Sequence, residues 1–356
     1  MSRRHLLKNA GLGALALSAP AVAVAKPEYK IKMATTWLKN YPGFGTSANE
    51  LGKMIEQLSG GRIKVKVYGA KEIVPAMQLF DAVQQGTVEM GHGASYYWQG
   101  KIPSAPFFAT IPFGFTAPEM NAWLEFGGGK ELWAEAYAPF GVKPYSVGNS
   151  GTQMGGWFNK EIKTLNDFKG LKIRMPGLGG KVLSELGAAV VTMSGGEVFQ
   201  ALKSGNIDAA EWVCPYNDSA SGLHKAAKFY YWPGWHEPGS NIEMIVNKKF
   251  FESLPKDLQR VIEVATQAIN YRLTAEYTYR NAPALEMLEK KHKVKLMKFP
   301  DEVLKGLQKK SQEVVLAVAK ADKHAMKTYE SMEKFRGQVL NWQKISEIGY
   351  SNARGF

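Results

Sequence analysis

Arg174 ends a short apolar stretch, Leu171-Lys172-Ile173-Arg174, and its guanidinium presents paired donors that fit both oxygens of a carboxylate. By residue type alone, an arginine at a strand end is more often half of a surface ion pair. Glu211, Glu237 and Gln153 carry the kind of oxygen that hard cations such as sodium and calcium bind, and the main-chain carbonyl of Trp212 could add another. None of these spacings is a metal motif, and acids of this kind are usually surface or core-edge groups. Tyr96, Tyr97, Trp37 and Trp212 offer apolar area, with a hydroxyl donor on each tyrosine; a cleft wall and an ordinary core use such residues equally well. Asn149 and Ser150, just before Gln153, could donate hydrogen bonds.

Catalytic patterns are missing. Gly148-Asn149-Ser150-Gly151 misses the nucleophile-elbow spacing, and Gly127-Gly128-Gly129-Lys130 lacks both the phosphate-loop spacing and its Ser/Thr. His236-Glu237 has no second histidine at the zincin distance, Gly177-Leu178-Gly179-Gly180 is no dinucleotide fingerprint, and the His and Cys cluster that zinc prefers is absent. A binding module without turnover is therefore expected. A secreted metal-dependent lyase competes with it, since an anion anchor, a metal and acids suit that chemistry too, but it lacks a base or nucleophile pairing. A dimeric scaffold that binds nothing small is a third reading.

The elements that must position these residues alternate. Tyr29–Thr35 and Ile63–Tyr68 read as strands, Ser47–Leu58 and Pro75–Gln85 as helices, and Val88–Gly91 as a short buried strand. Such β-α-β order argues for a mostly parallel sheet covered on both faces. The pattern then repeats. Phe80-Asp81-Ala82-Val83-Gln84-Gln85-Gly86-Thr87-Val88-Glu89-Met90 aligns with Phe199-Gln200-Ala201-Leu202-Lys203-Ser204-Gly205-Asn206-Ile207-Asp208-Ala209, each copy reading as a helix, a glycine stop and a buried strand. The two copies run into His92–Trp98 and Glu211–Val213, and open α/β sheets bind ligands just beyond their strand ends. Both tails are expected to face one cleft. After Ser253 the chain becomes helical, with a short strand at Lys293–Phe299 and a nearly unbroken helix from Asp301 to about Gln343, weakened only by Gly306 and Gly337.

The first 25 residues read as an export signal: Arg3-Arg4, an apolar stretch to Val24, and a small-residue site at Ala23-Val24-Ala25. The arginine pair points to the twin-arginine route and cleavage near Ala25. The whole chain of 356 residues carries a net charge of +13. Its lysines are spread over helical faces, which argues against a nucleic-acid partner and for mild steering of anions. Cys214 is the only cysteine, so no internal disulfide can form, and burial is its expected state.

Three stretches carry a family resemblance: Leu165-x-Asp167-Phe168-Lys169-Gly170-Leu171-Lys172-Ile173-Arg174-Met175-Pro176, Ala201-Leu202-x-x-Gly205-x-Ile207-Asp208-Ala209-Ala210-Glu211, and Phe251-x-x-Leu254-Pro255 leading to Leu258-Gln259. Through them the chain resembles the solute-binding proteins of tripartite ATP-independent periplasmic (TRAP) transporters, over nearly its whole mature length. Glu211-Trp212 and Gly234-Trp235-His236-Glu237-Pro238 resemble the branch that binds 2-oxo acids together with a metal cation.

The resemblance implies an α/β, two-lobe fold with a ligand cleft that closes on a small organic carboxylate and delivers it to membrane permease subunits. It implies that Arg174 holds the solute carboxylate and that Glu211, Glu237, Gln153 and the Trp212 carbonyl hold sodium or calcium; Tyr96, Tyr97, Trp212, Gln153 and Asn149, by residue type, are the further residues expected to line the solute. The expected solute is a pyruvate-like 2-oxo monocarboxylate, with lactate or another 2-hydroxy acid and calcium as the alternative. Residues 1–25 are then the signal, 26–150 the first lobe (with later segments returning), and 151–253 the second. Residues 254–356 form a helical strap and helices exchanged in a homodimer.

Overall fold

A computed structural model describes residues 27–355; the expected export signal at 1–25 lies outside them. Among the described residues the chain forms strands β1 (Tyr29–Thr35), β2 (Ile63–Tyr68), β3 (Met90–Gly93), β4 (Val142–Asn149), β5 (Gly156–Phe158), β6 (Lys172–Arg174), β7 (Ala189–Val191), β8 (Ala209–Ala210), β9 (Phe229–Trp232), β10 (Asn241–Asn247) and β11 (Lys295–Lys298). They build two sheets, ordered β2-β1-β3-β10-β4 and β11-β9-β5-β8-β6-β7.

The sequence repeat is a repeat of topology. In the first sheet β1 lies parallel to β2 and β3, and β10 closes on β3 antiparallel. In the second, β6 lies parallel to β7 and β8, and β5 closes on β8 antiparallel. The helices Leu79–Gln84 and Gly195–Lys203 that precede β3 and β8 each stop before a glycine in the left-handed region, Gly86 (φ 74°) and Gly205 (φ 76°). That conformation costs a side-chain-bearing residue energy and costs glycine little.

Each sheet borrows its antiparallel strand from elsewhere in the chain. β5 follows β4 directly yet lies in the second sheet, and β10, within the expected 151–253 lobe, returns to the first. β11, within the expected strap, joins the second sheet beside β9. Three connections therefore cross between the sheets: residues 150–155, residues 233–240, and the helix Lys256–Lys290 that leads to β11. The long helix buries Leu273 and Tyr277 in a core cluster that also holds Ile31 of the first sheet and Trp157 of the second. Cys214 is buried and unpaired.

The C-terminal helix differs from expectation. It is two helices, Asp301–Ala321 and Lys323–Ile345. The break falls at Asp322, which is extended (φ −142°, ψ 132°) and accepts a hydrogen bond from the Ala325 amide at 2.7 Å. A short carboxylate that caps the next helix competes with continuation of the previous one. The glycines stay helical; at Gly306 a Cβ would come within 2.3 Å of Leu165, so this glycine is there for packing. Among the described residues no helix is long and apolar enough to cross a membrane.

Candidate binding site

Two of the crossing connections run side by side. The Ser150 amide donates to the Ser240 carbonyl at 3.0 Å, the Gln153 amide to the Glu237 carbonyl at 3.1 Å, and the Gly234 amide to the Gln153 carbonyl at 2.9 Å. A Cβ at Gly234 would sit 2.3 Å from that carbonyl, so only glycine permits the approach. This pairing brings Gln153, His236 and Glu237 together where the chain passes between the sheets.

The second sheet supplies the rest. β6 and β8 are parallel neighbours with Arg174 opposite Ala210, so the residue after β8, Glu211, stands beside the Arg174 side chain. Nη1 of Arg174 donates to the Glu211 carbonyl and to Glu211 Oε2, both at 2.7 Å. Among the described residues Nε and Nη2 reach only the Met193 carbonyl, at 3.4 Å each. The guanidinium lies over the Trp212 ring, 5.0 Å from its centroid. Both members of the ion pair are about 1% exposed. One edge of the fork is thus fixed by protein, while Nη2 retains donor capacity.

Three acids and amides meet here with oxygens to spare. Gln153 Nε2 donates to Glu237 Oε2 at 2.9 Å and to Ser150 Oγ at 3.1 Å. Gln153 Oε1 and Glu211 Oε1 are buried and have no hydrogen-bond partner among the described residues. Ligating atoms of Glu211, His236 and Glu237 lie within 4.8 Å of one another. Burial pushes Glu211 up to about 7 against the pull of Arg174. Burial, helped by the nearby Glu211 charge, pushes Glu237 up to about 7. Burial also pushes His236 down to about 4, so its ring is neutral near pH 7. Two buried carboxyls share one arginine, which leaves a negative excess in a dry place. Orphaned carboxylate and amide oxygens around such an excess fit a hard cation.

Tyr96 and Tyr97 follow β3 and stand at the other side. Tyr96 packs on Gly177, the first residue of the helix after β6, at 3.5 Å from where its Cβ would be. The two tyrosine rings meet edge-on with centroids 4.8 Å apart, and burial raises both hydroxyls, with the charges of Glu211, Glu237 and Arg174 acting on each. Asn149, the last residue of β4, is buried with Nδ2 unpartnered. Ser150 is engaged within the protein: it donates to the Gly151 carbonyl and accepts from Gln153 and the Ser240 amide. Trp37 donates to His92 Nδ1 at 2.9 Å, its ring centroid lies 6.4 Å from that of Tyr97, and it lines a cavity of about 360 Å³ with Tyr41, Gly195 and Trp212.

The sequence-predicted residues Arg174, Glu211, Trp212, Glu237 and Gln153 converge. His236 was not singled out in sequence, although its Nε2 is 3.5 Å from Glu211 Oε1. Its signals were its place next to Glu237 and within the Gly234–Pro238 stretch that carries the resemblance. The Met193 carbonyl leaves no sequence signal at all, because any residue supplies one.

Comparison with known proteins agrees with this architecture. The chain is 39% identical, over 99% of its length and 98% of the relative's, to a monocarboxylate 2-oxoacid-binding periplasmic protein of a Nostoc species. A TRAP periplasmic solute-binding protein from Pseudoalteromonas atlantica, solved with bound sodium and pyruvate, is 39% identical and superposes with a TM-score of 0.89, covering 92% of this chain and 99% of that one. A TRAP solute-binding protein from Bordetella bronchiseptica, solved as a mixed-occupancy dimer with calcium and picolinate in one site, is 36% identical with a TM-score of 0.90, over 92% and 98% of the two chains. The family model for DctP, bacterial extracellular solute-binding protein, family 7, matches residues 33–322, and the chain belongs to that family.

Proposed function

We propose that this chain captures a short 2-oxo monocarboxylate of the pyruvate type, together with sodium or calcium, and hands it unchanged to a TRAP permease. The observation that carries this reading is the meeting of a half-engaged arginine fork with the unpartnered oxygens of Gln153 and Glu211. The relatives solved with pyruvate and sodium, or with picolinate and calcium, support it.

In this reading the Nη2 edge of Arg174 takes the solute carboxylate. Asn149 Nδ2 and the Tyr96 and Tyr97 hydroxyls donate to its remaining oxygens, and the tyrosine and Trp212 rings cover its small apolar end. Gln153, Glu211, Glu237 and the Trp212 carbonyl hold the cation. A bound sodium or calcium ion supplies the positive charge that offsets the second acid and attracts the carboxylate and keto oxygens of the solute. No residue here is paired as base and nucleophile, so the solute leaves as it came. Export by the N-terminal segment, with cleavage near Ala25, would place the protein in the periplasm.

The test is a fluorescence and calorimetric titration of the mature protein with pyruvate, longer 2-oxo acids, lactate and C4-dicarboxylates, with product analysis of the recovered solute. Saturable binding of a 2-oxo acid, recovered unaltered, is the expected result. Preference for lactate with calcium would shift the solute class, and turnover would overturn the binding role.

The C-terminal helices also support the homodimer. Tyr271, Tyr279, Trp342, Ile345 and Tyr350 are between 62% and 79% exposed, and a partner chain would cover such side chains. Sedimentation should give twice the chain mass, and Trp342→Glu with Ile345→Glu should give a monomer. A wild-type monomer would remove the dimer.

A further inference from the structure

Trp212 is the surface on which the Arg174 guanidinium rests, and its own position is fixed from two further directions. Gly195, at the start of the helix Gly195–Lys203, leaves the space its ring occupies; a Cβ there would come within 2.0 Å of it. The indole Nε1 donates to the hydroxyl of Tyr41 at 2.7 Å. Tyr41 lies in the loop after β1, 171 residues away in sequence, so a residue following a first-sheet strand holds a residue following a second-sheet strand.

The same hydroxyl donates to the Asn217 carbonyl at 2.9 Å and lies 2.7 Å from Ser221 Oγ. Asn217 Nδ2 donates back to the Pro42 carbonyl at 2.8 Å. Leu38, in the same loop, packs against Gly196. The loop is thus seated on the second sheet's side by several contacts, of which only the Tyr41 hydroxyl reaches the indole with a hydrogen bond. A phenol can both accept from the indole and donate to a carbonyl; phenylalanine can do neither.

We propose that Tyr41 is a positioning residue for solute binding: its hydroxyl fixes the plane of the Trp212 indole, and through it the Arg174 fork, when the loop after β1 meets the segment after β8. This rests on Arg174 being the carboxylate anchor. A bond made across the two sheets as they approach acts on release of solute more than on its capture.

The experiment is a double-mutant cycle on the full mature protein with sodium and calcium present. Labelled pyruvate is bound and its dissociation rate is read after dilution, for wild type, Tyr41→Phe, Trp212→Phe and the double variant. Tyr41→Phe should speed release by about 3- to 10-fold, the range of one neutral hydrogen bond, with the association rate within about 2-fold of wild type. In the Trp212→Phe background the same change should add less than about 2-fold, since coupled residues are non-additive. Ser221→Ala, which spares the indole bond, should release pyruvate at the wild-type rate. A change at position 41 that is fully additive, or a wild-type release rate in Tyr41→Phe, overturns the inference and leaves the binding role intact. A wild type that binds no short 2-oxo acid removes the Arg174 reading and this inference with it. Should Trp212→Phe fail to fold, the indole N–H resonances of the nine tryptophans give the second readout. One of them should move upfield in Tyr41→Phe, and no movement overturns the proposal.

Discussion

Arg174→Lys should raise the dissociation constant for a 2-oxo acid by about 100-fold or more. Hydrogen bonds to charged groups are worth about 1.5–3 kcal/mol each, and about 1.4 kcal/mol is a factor of ten. The arginine serves two masters at once. Nη1 is committed to Glu211 at 2.7 Å through both the main chain and the carboxylate, while Nη2 has only a 3.4 Å contact with Met193. A planar, five-donor group can hold Glu211 with one edge and a carboxylate with the other. An ammonium is a point charge on a shorter stem, and Glu211 would keep it. The flat contact with the Trp212 ring, at 5.0 Å, would go as well. Because lysine preserves a positive charge beside Glu211, the melting temperature should fall less than removal of the charge would make it fall, as in Arg174→Met, which strands a buried carboxylate. Calorimetric titration beside a melting curve for each variant separates the two effects. Near-normal binding by Arg174→Lys would exclude the anchor.

Much of this was legible in the residues for definable reasons. Periodicity found β1 and β2 to the residue because their buried and exposed side chains alternate at their first positions, and that alternation is a local property. The duplicated helix, glycine and strand pointed to β8 and, with the strand expected at Val88–Gly91 two residues ahead of the observed Met90–Gly93, to β3, and with them to the tails that carry Tyr96, Tyr97 and Glu211. What periodicity could not supply was the exchange of β5 and β10 between sheets, since antiparallel partners separated by about 50 to 150 residues leave no local trace. That exchange is what places Gln153 beside Glu237, with the Gln153 amide on the Glu237 carbonyl at 3.1 Å. Spacing in sequence said nothing of it; the resemblance alone linked the two. Asp322 was missed because a single capping residue inside a long helical pattern looks like an ordinary polar position. Tyr41 was missed because its role is a contact across 171 residues.

Stripping the cation should weaken 2-oxo acid binding by more than 100-fold, and the loss should depend on pH in a defined direction. Leaving a buried charge without its partner costs about 3–5 kcal/mol, and without a cation the solute carboxylate would enter beside Glu211 and Glu237, both at most 3% exposed. Both acids titrate at about 7 in the folded, cation-free protein, against an ordinary value of 4.5. A folded-state value raised in this way favours the folded protein fully below about 4.5, and the advantage is lost as pH rises through about 7. The cation-free protein should therefore become less stable between pH 5 and pH 8. A cation must displace these protons, so its affinity should fall as pH drops below about 7 and level off above it. Sodium or calcium should accordingly raise the melting temperature more at pH 8 than at pH 5, in line with the linkage between binding and stability. In Glu237→Gln the amide keeps the shape and removes one titrating charge, so both the cation-induced rise and its pH dependence should shrink. Differential scanning calorimetry of chelator-treated protein in a sodium-free buffer, with each cation returned in turn, reads all of these. A cation effect that is equal at pH 5 and pH 8, or unchanged in Glu237→Gln, would place the ion somewhere other than between Gln153, Glu211 and Glu237.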